Sequence, residues 1–237
     1  MNKKILINGL SIGKQNTGVQ YYSKYLHINL KNNCEVELLT LNYSFLKNSF
    51  ARIFYENFFL NSFFNKKNYS IYHATNYVIP FFFKKKCILT VHDLITIDYP
   101  KLCKNTSVIY FKLLFKSSLK KAEKIITVSE TVKRDIIKHF NVNESKIRVI
   151  SLGINPIFKR TLNVSVFNKY NLPKKYILFV GNIEAKKNLK NLVIAFAKLK
   201  KNNSCTHKLV FVGKKGWKVS GLMKLIKRLG LENDVFF

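Results

Sequence analysis

One segment, residues 176–199, constrains the fold of this chain more than any other. It opens with a short apolar run (176–180) that stops at Gly181, continues through a polar loop and ends in residues with helical spacing. A continuous apolar run is typical of a buried parallel strand, and apolar residues three and four apart are typical of a helix packed on a sheet. The segment therefore predicts a strand, a loop and a helix of an α/β fold.

The loop of this segment carries two adjacent lysines, Lys186 and Lys187, and has two interpretations. Backbone N–H groups and ammonium charges would meet at the carboxyl end of a strand, where α/β sheets bind anionic ligands. The alternative is an ordinary strand-to-helix turn with a solvated lysine pair. The pattern alone leaves both open.

The chain is strongly basic, with a formal net charge of +30 over 237 residues. Such a charge favours an anionic partner, namely nucleic acid, anionic lipid or a phosphorylated substrate. Only five of the 42 basic residues are arginine, the residue suited to bidentate phosphate and base recognition. The alternative is a lysine bias of an AT-rich coding sequence. Either way, an anionic membrane would attract the chain by ~1 kcal/mol per lysine held close to it.

The sequence also indicates the compartment. The N-terminal MNKKILINGL reaches Asn8 and Gly9 too early for a secretion signal, and no apolar run approaches the ~18 residues of a membrane span. The four cysteines lie far apart, without a C-x-x-C pair. We therefore expect a cytoplasmic, reduced protein.

Strand and helix patterns alternate along the chain and predict its domains. Residues 1–155 are predicted to form an N-terminal Rossmann-like domain, whose helix over 130–140 begins after Ser129 as N-cap. The stretch 156–173, which contains two prolines, is predicted to be a linker. A second βαβαβ pattern occupies 174–237, half of a doubly wound domain.

An aromatic segment, Phe45 to Phe64, stands apart from this alternation. It carries seven aromatic side chains from Phe50 onward, with basic residues close by. A basic, aromatic amphipathic helix can lie in a membrane interface, but such a stripe can equally be core. The run of three phenylalanines and three lysines over 81–86 has the same two interpretations.

Four motifs in order resemble glycosyltransferase family 4, of the GT-B architecture. They are TGVQYYSKYL from Thr17, TVHDLITIDYP from Thr90, ITVSETVKRDIIKHFNVNESKIRVISLGIN from Ile126 and YILFVGNIEAKKN from Tyr176. The resemblance implies an α/β, GT-B-like fold, with a complete N-terminal Rossmann-like domain and the first half of a second one.

The resemblance implies roles for eight residues. The donor-binding set is Gly18, Gly181, Lys186, Lys187 and Gly213, and the others are His92, Asp93 and Asp98. His92 matches the family histidine that contacts the transferred sugar and is the catalytic candidate; the alternative is a satisfied strand-end histidine. Asp93 is expected to orient its loop, and Asp98 to approach the acceptor.

Two positions depart from the family's donor site. Lys186 stands where many members have arginine, and Asn182 stands where some have another arginine. Lys186 keeps the charge but loses the bidentate fork. Asn182 carries no charge, so the donor contact of that second arginine is not carried over to this chain.

The implied activity is the transfer of a hexosyl or mannosyl group from a nucleotide diphosphate sugar to a glycan or lipid-linked acceptor. Surface polysaccharide synthesis in the cytoplasm, with peripheral contact to an anionic inner membrane face, is the expected setting. The family is retaining and needs neither a divalent metal nor a cofactor. The rival hypothesis is a non-catalytic basic module that binds anionic membrane or nucleic acid; with the enzyme interpretation, no nucleic-acid partner is expected.

The family's second domain normally continues into a segment with two donor-binding glutamates seven residues apart. Residues 1–237 do not include it. We expect a truncated second domain in which the strand at Tyr176 is left as an exposed sheet edge. We also expect little or no transferase activity from these 237 residues alone.

Overall fold

The computed structural model describes residues 3–12, 18–40, 49–103, 105–155, 157–160, 165–202, 205–216 and 219–237. They fall into two compact units, Met1–Gly153 and Ile154–Phe237. Within the described ranges, no helix is long and apolar enough to cross a lipid bilayer.

The first unit is built on a six-stranded parallel sheet in the order β2-β1-β3-β4-β5-β6. The strands are β1 Ile5–Asn8, β2 Val36–Leu39, β3 Ile71–Ala74, β4 Cys87–Val91, β5 Lys124–Thr127 and β6 Ile147–Val149. Because every pair is parallel, all six carboxyl ends lie along one edge of the sheet. The predicted parallel α/β architecture is confirmed.

Helices connect these strands. They are α1 Gly18–Leu30, α2 Ser49–Phe58, α3 Leu60–Lys66, α4 Ile95–Asp98, α5 Asn105–Lys121 and α6 Glu130–Phe140. The core lies between the helices and the sheet, where Leu89 of β4 and Ile136 of α6 are inaccessible to solvent. The ring of Phe115 on α5 stacks on Phe111 at 4.2 Å between centroids and is buried as well.

Helix α6 begins and ends where its sequence predicts. Ser129 has extended backbone angles, and its Oγ accepts a hydrogen bond from the Val132 N–H at 3.3 Å. Asn141 ends the helix in the left-handed conformation, with φ of 51°, which asparagine adopts more readily than most residues. The predicted cap at Ser129 is confirmed.

Replacing Ser129 with alanine is expected to lower the free energy of unfolding of the first unit by about 1 kcal/mol, because a donor of the first helical turn loses its acceptor. Urea unfolding followed by circular dichroism measures the change. Ser129→Asp is the matched control and should retain most of the stability. Equal stability of Ser129→Ala and the wild type would show that the cap is unimportant.

The second unit has a three-stranded parallel sheet in the order β7-β8-β9. Its elements are α7 Ser165–Lys169, β7 Tyr176–Val180, α8 Leu189–Lys201, β8 Lys208–Val212, α9 Ser220–Arg228 and β9 Val235–Phe236. Its core joins Val193 and Phe196 of α8 to Leu225 of α9 and to Leu209 and Phe211 of β8. These alternate β8 residues share one face of the sheet, so α8 and α9 pack on that face.

The expected exposed sheet edge at residues 176–180 is confirmed, although the apolar run by itself is typical of a buried strand. β7 pairs only with β8 and is an edge of the sheet in the described residues. Leu178 is 50% exposed and Val180 is 69% exposed. Both lie on the face opposite α8 and α9, so the apolar run predicted the strand correctly but not its surroundings.

The aromatic segment forms two helices, α2 and α3, instead of one. Phe45 and the residues up to 48 lie outside the described residues. On α3, Leu60 and Phe64 are buried in the core, whereas Phe54 and Phe58 of α2 are more than half exposed. The segment is therefore core on one side and exposed on the other.

Candidate functional site

His92 lies at the carboxyl edge of the first unit's sheet, directly after β4. Thr75 directly follows the neighbouring strand β3, and its backbone oxygen lies 3.0 Å from His92 Nε2. A carbonyl oxygen only accepts hydrogen bonds, so Nε2 carries the proton. In the neutral ring, Nδ1 is then an acceptor.

Two tyrosine rings hold the imidazole edge-on. The centroid of Tyr22, on α1, lies 4.9 Å from that of His92, and the centroid of Tyr77 lies at 5.7 Å. Burial lowers the pKa of His92 below its ordinary value of 6.5, although the Thr75 hydrogen bond and the Asp93 charge act in the opposite direction. His92 is therefore a neutral, oriented hydrogen-bond acceptor at pH 7.

A buried chain of hydrogen bonds holds Tyr22 in place beside His92. The hydroxyl of Thr90 on β4 lies 2.8 Å from His73 Nε2 and 3.2 Å from the Tyr22 hydroxyl. Both His73 and Thr90 are almost fully buried. The chain fixes Tyr22, and thereby one wall of the His92 environment.

The carboxylate of Asp93 is occupied by one contact to Tyr77, after β3, and one contact within its own loop. Its Oδ2 accepts a hydrogen bond from the Tyr77 hydroxyl at 2.9 Å, and its Oδ1 accepts one from the Ile95 N–H at 3.2 Å. Tyr77 has a left-handed φ of 63°, which is unfavourable for a bulky residue. The structure thus holds Tyr77 in a strained conformation against Asp93 and His92.

The other two predicted residues of this unit have different surroundings. Asp98, at the end of α4, lies 3.2 Å from Nε2 of His139 on α6 and pairs with it when that histidine is protonated. Gly18 is the first residue of α1, and a Cβ at this position would meet no atom of the described residues within 4 Å. The structure therefore shows no steric need for glycine at position 18. Thr17 lies outside the described residues.

In the second unit, Gly181 and Gly213 directly follow β7 and β8 and lie against each other. Their φ angles are +148° and +156°, a region that side chains rarely adopt. A Cβ on Gly213 would lie 1.9 Å from the Gly181 carbonyl oxygen. The two strand ends can approach this closely only because residue 213 is glycine.

The loops after these glycines run side by side. Ile183 N–H donates to the Lys214 carbonyl at 2.9 Å, and Gly216 N–H donates to the Ile183 carbonyl at 2.9 Å. A Cβ on Gly216 would lie 3.0 Å from Glu184 Cβ. These contacts fix the loop that presents the two lysines.

The two lysines differ in their partners. Lys186 Nζ lies 3.4 Å from a carboxylate oxygen of Glu184. The Lys187 ammonium pairs with none of the carboxylates that the structure describes, and its side chain is exposed. Lys187 is therefore the cation available to a ligand.

Lys187 also lies just before the N-terminus of α8. The helix begins at Leu189, after Asn188 in the left-handed conformation with φ of 55°, and its first turn contains no acidic residue. Free N–H groups and the helix dipole make this end positive. The ammonium and the helix end together form a site suited to a phosphate group.

The sequence did not indicate several of these neighbours. Tyr77, whose ring packs on His92, carries no local signal because its left-handed backbone is imposed by distant contacts. Glu184 reduces the availability of Lys186, and only its spacing of two residues hinted at that ion pair. Gly216 could have been found as a third glycine in a loop after a strand.

Two family profiles match the chain, one after the other. The profile of Glycosyltransferase Family 4 matches residues 18–157, and that of Glycosyl transferases group 1 matches residues 165–237. Together they extend over both compact units.

Two curated relatives each match about two thirds of the chain. The O-antigen chain mannosyltransferase B of Escherichia coli is 28% identical over 162 residues, which are 67% of this chain and 42% of the relative. The O-antigen chain mannosyltransferase RfbU of Salmonella typhimurium is 32% identical over 165 residues, which are 69% of this chain and 42% of the relative. The matched region thus spans less than half the length of these relatives.

Solved structures share the fold. HepE of Anabaena, solved with UDP and glucose, superposes with a TM-score of 0.65 at 16% identity, over 99% of this chain and 69% of HepE. A glycosyltransferase of Rickettsia africae gives a TM-score of 0.57 at 20% identity, over 100% of this chain and 68% of that one. The predicted GT-B fold is confirmed. Since its profile covers more than half of the sequence, the chain belongs to Glycosyltransferase Family 4.

Proposed function

We propose that this chain binds a nucleoside diphosphate sugar and takes part in transferring its sugar to a hydroxyl group of a glycan or lipid-linked acceptor. The observation that carries the proposal is the phosphate-suited loop of the second unit. There the ends of β7 and β8 meet at Gly181 and Gly213, and Lys187, which pairs with none of the described carboxylates, presents its ammonium at the start of α8.

The chemistry of the transfer requires such a loop. The bond from the sugar's anomeric carbon to the diphosphate oxygen breaks, a bond to the acceptor oxygen forms, and the acceptor's hydroxyl proton is released. Negative charge develops on the departing diphosphate, so positively charged and N–H groups at that place stabilise the transition state. In the proposal, Lys187 and the α8 terminus supply this stabilisation, and Lys186 contributes less because Glu184 partly neutralises it.

His92 has the complementary role in the proposal. Its Nε2 proton is committed to the Thr75 carbonyl, so Nδ1 accepts a hydrogen bond from a hydroxyl of the transferred sugar. A neutral histidine whose pKa is lowered does not act as a general acid at pH 7. His92 therefore orients the sugar, and the remaining candidates, Asp93 and Asp98, maintain the loop and α4 around it.

The relatives support the class of reaction. Two of them are named as O-antigen chain mannosyltransferases, and HepE was solved with UDP. We therefore propose a hexosyl donor, with mannose as the first candidate, and a place in surface polysaccharide synthesis at the cytoplasmic face of a membrane.

Lys187→Ala is expected to weaken the binding of UDP or GDP by about 10- to 100-fold, because one charge-assisted hydrogen bond to the diphosphate is lost. Isothermal titration calorimetry of the 237-residue chain with each nucleotide measures the affinity. UDP and GDP are both used because the base is not determined by the loop.

Lys201→Ala, at the exposed end of the same helix, is the matched control and should bind like the wild type. Lys186→Ala should have an intermediate effect, since its charge is shared with Glu184. If Lys187→Ala binds as tightly as Lys201→Ala, or if the wild type binds neither nucleotide, this loop is not a diphosphate site.

A further inference from the structure

Five phenylalanine rings form a continuous exposed surface on the first unit, which we call the aromatic face. Its members are Phe54, Phe58, Phe59, Phe81 and Phe82. Each ring is between 46% and 57% exposed. Phe54 lies 4.7 Å from Phe58, Phe58 lies 5.4 Å from Phe82, and Phe82 lies 5.2 Å from Phe81, measured between ring centroids.

Amide side chains of α2 and α3 hold the loop half of this face in place. Asn57 Oδ1 accepts a hydrogen bond from the Phe81 N–H at 2.7 Å. Asn61 Nδ2 donates to the Phe82 carbonyl at 2.7 Å. The ammonium of Lys121 donates to the Phe81 carbonyl and lies 5.0 Å from the centre of the Phe81 ring. The exposed rings are therefore preorganised, not loose.

A surface of this kind is unusual for an isolated water-soluble unit. Exposed apolar side chains scattered singly need no explanation, but a contiguous patch marks an interaction site. Aromatic rings at a surface are typical of proteins that lie in a membrane interface.

The charge around the face indicates which partner it meets. From the start of α2 to the residue before β4 (49–86), the sequence contains six basic residues and one acidic residue, Glu56. One of the six, Lys86, pairs with Glu123 at 3.7 Å. Glu56 is 8% exposed and accepts a hydrogen bond from Asn8, so it does not offset the basic charge at the surface. Lys84 and Lys85 directly follow the phenylalanines, are exposed, and pair with none of the described carboxylates. Such a segment is complementary to a negatively charged surface.

We propose that the aromatic face docks this chain on an anionic lipid bilayer, with the rings entering the interface and Lys84 and Lys85 contacting lipid phosphates. The inference rests on the proposed function in one respect, namely that a lipid-linked or surface-polysaccharide acceptor is found at a membrane. Rings supply the apolar part of the binding energy and lysines the electrostatic part, the two signals that stable peripheral binding needs.

Vesicle co-sedimentation tests the docking surface. The full chain is mixed with vesicles of phosphatidylglycerol and phosphatidylcholine, and separately with phosphatidylcholine alone. We expect sedimentation with the anionic vesicles only. The double variant Phe58→Ser with Phe82→Ser should bind the anionic vesicles about tenfold or more weakly, and Lys84→Glu with Lys85→Glu should do the same.

Matched double variants serve as controls. Phe158→Ser with Tyr170→Ser removes two exposed aromatic side chains of the second unit, which are 79% and 62% exposed. Lys224→Glu with Lys227→Glu makes the same charge change on α9. Both should keep most of the vesicle binding, and circular dichroism should show all four variants folded.

Three results would overturn the proposal: no sedimentation of the wild type with anionic vesicles, equal binding by the aromatic-face variants and their controls, or binding lost equally in all four. A dimer that dissociates in Phe58→Ser with Phe82→Ser, while vesicle binding persists, would assign the face to a second copy. The vesicle and dimer measurements use no nucleotide and do not depend on the proposed diphosphate site. UDP and GDP affinities should be unchanged in every variant, which separates failure of this inference from failure of the proposed function.

Discussion

Gly213→Ala is expected to lower the free energy of unfolding of the second unit by about 3 kcal/mol or more. The added Cβ would lie 1.9 Å from the Gly181 carbonyl oxygen, and that atom belongs to the backbone of the adjacent strand end. The φ of +156° adds strain for any residue with a side chain. Since the neighbour cannot rotate away, β7 and β8 must separate or the turn must change conformation.

Urea unfolding followed by tryptophan fluorescence measures this effect, because the single tryptophan, Trp217, follows Gly213 by four positions in the sequence. Gly221→Ala is the matched control in the same unit. Its new Cβ would meet the Lys190 Nζ at 3.1 Å, the mobile end of a long side chain. That change should alter stability by less than about 1 kcal/mol. Similar curves for the two variants would mean that the strand ends are not closely packed.

The elements of the fold were largely predictable because they depend on local patterns. The strand at Tyr176–Val180 begins and ends at the predicted residues. Helix α6 was predicted with its cap because an N-cap serine directly before the helix is a local signal. Parallel strands followed from the alternation of elements.

Burial was less predictable because it depends on how many neighbours an element has. Residues 176–180 have the composition of a central strand, yet among the elements that the structure describes β7 has one strand neighbour and one helix-covered face. The aromatic segment is likewise buried in one part and exposed in another, because its rings have different neighbours. Phe64 lies 5.3 Å from Phe83 in the core, whereas Phe58 on the preceding helix contacts other exposed rings. The sequence shows the apolar residues but not which of them meet.

In the candidate site, the residues were predictable but their contacts were not. Its glycines were found because each directly follows a strand, but the steric contact between Gly181 and Gly213 joins residues 32 positions apart. His92 was found from its motif, but the proton on Nε2 is fixed by Thr75, a residue of another strand end. Chemistry that depends on a partner across the sheet could not be predicted from local spacing.

The free energy of unfolding of the first unit is expected to fall by roughly 3 kcal/mol between pH 7 and pH 4 through His73 alone. Burial lowers the pKa of His73 from 6.5 to about 4, and the nearby His92 adds to the effect. In the unfolded chain His73 takes up a proton near pH 6.5, whereas in the folded unit it does so only near pH 4. The contribution of neutral His73 to the free energy of unfolding is therefore complete above pH 6.5. It is lost as the pH falls from 6.5 to about 4.

Urea unfolding at steps of half a pH unit from pH 7 to pH 4 measures how the free energy of unfolding depends on pH. The variant His73→Gln removes the titrating group, and its amide can still reach the Thr90 hydroxyl. The variant starts from a lower stability, but its curve against pH should be flatter than that of the wild type by roughly 3 kcal/mol over the window. A residual slope remains, because the lowered pKa of His92 acts in the same direction. If the two curves are parallel, His73 is not the group whose protonation opposes folding, and the buried Tyr22–Thr90–His73 chain does not depend on a neutral imidazole.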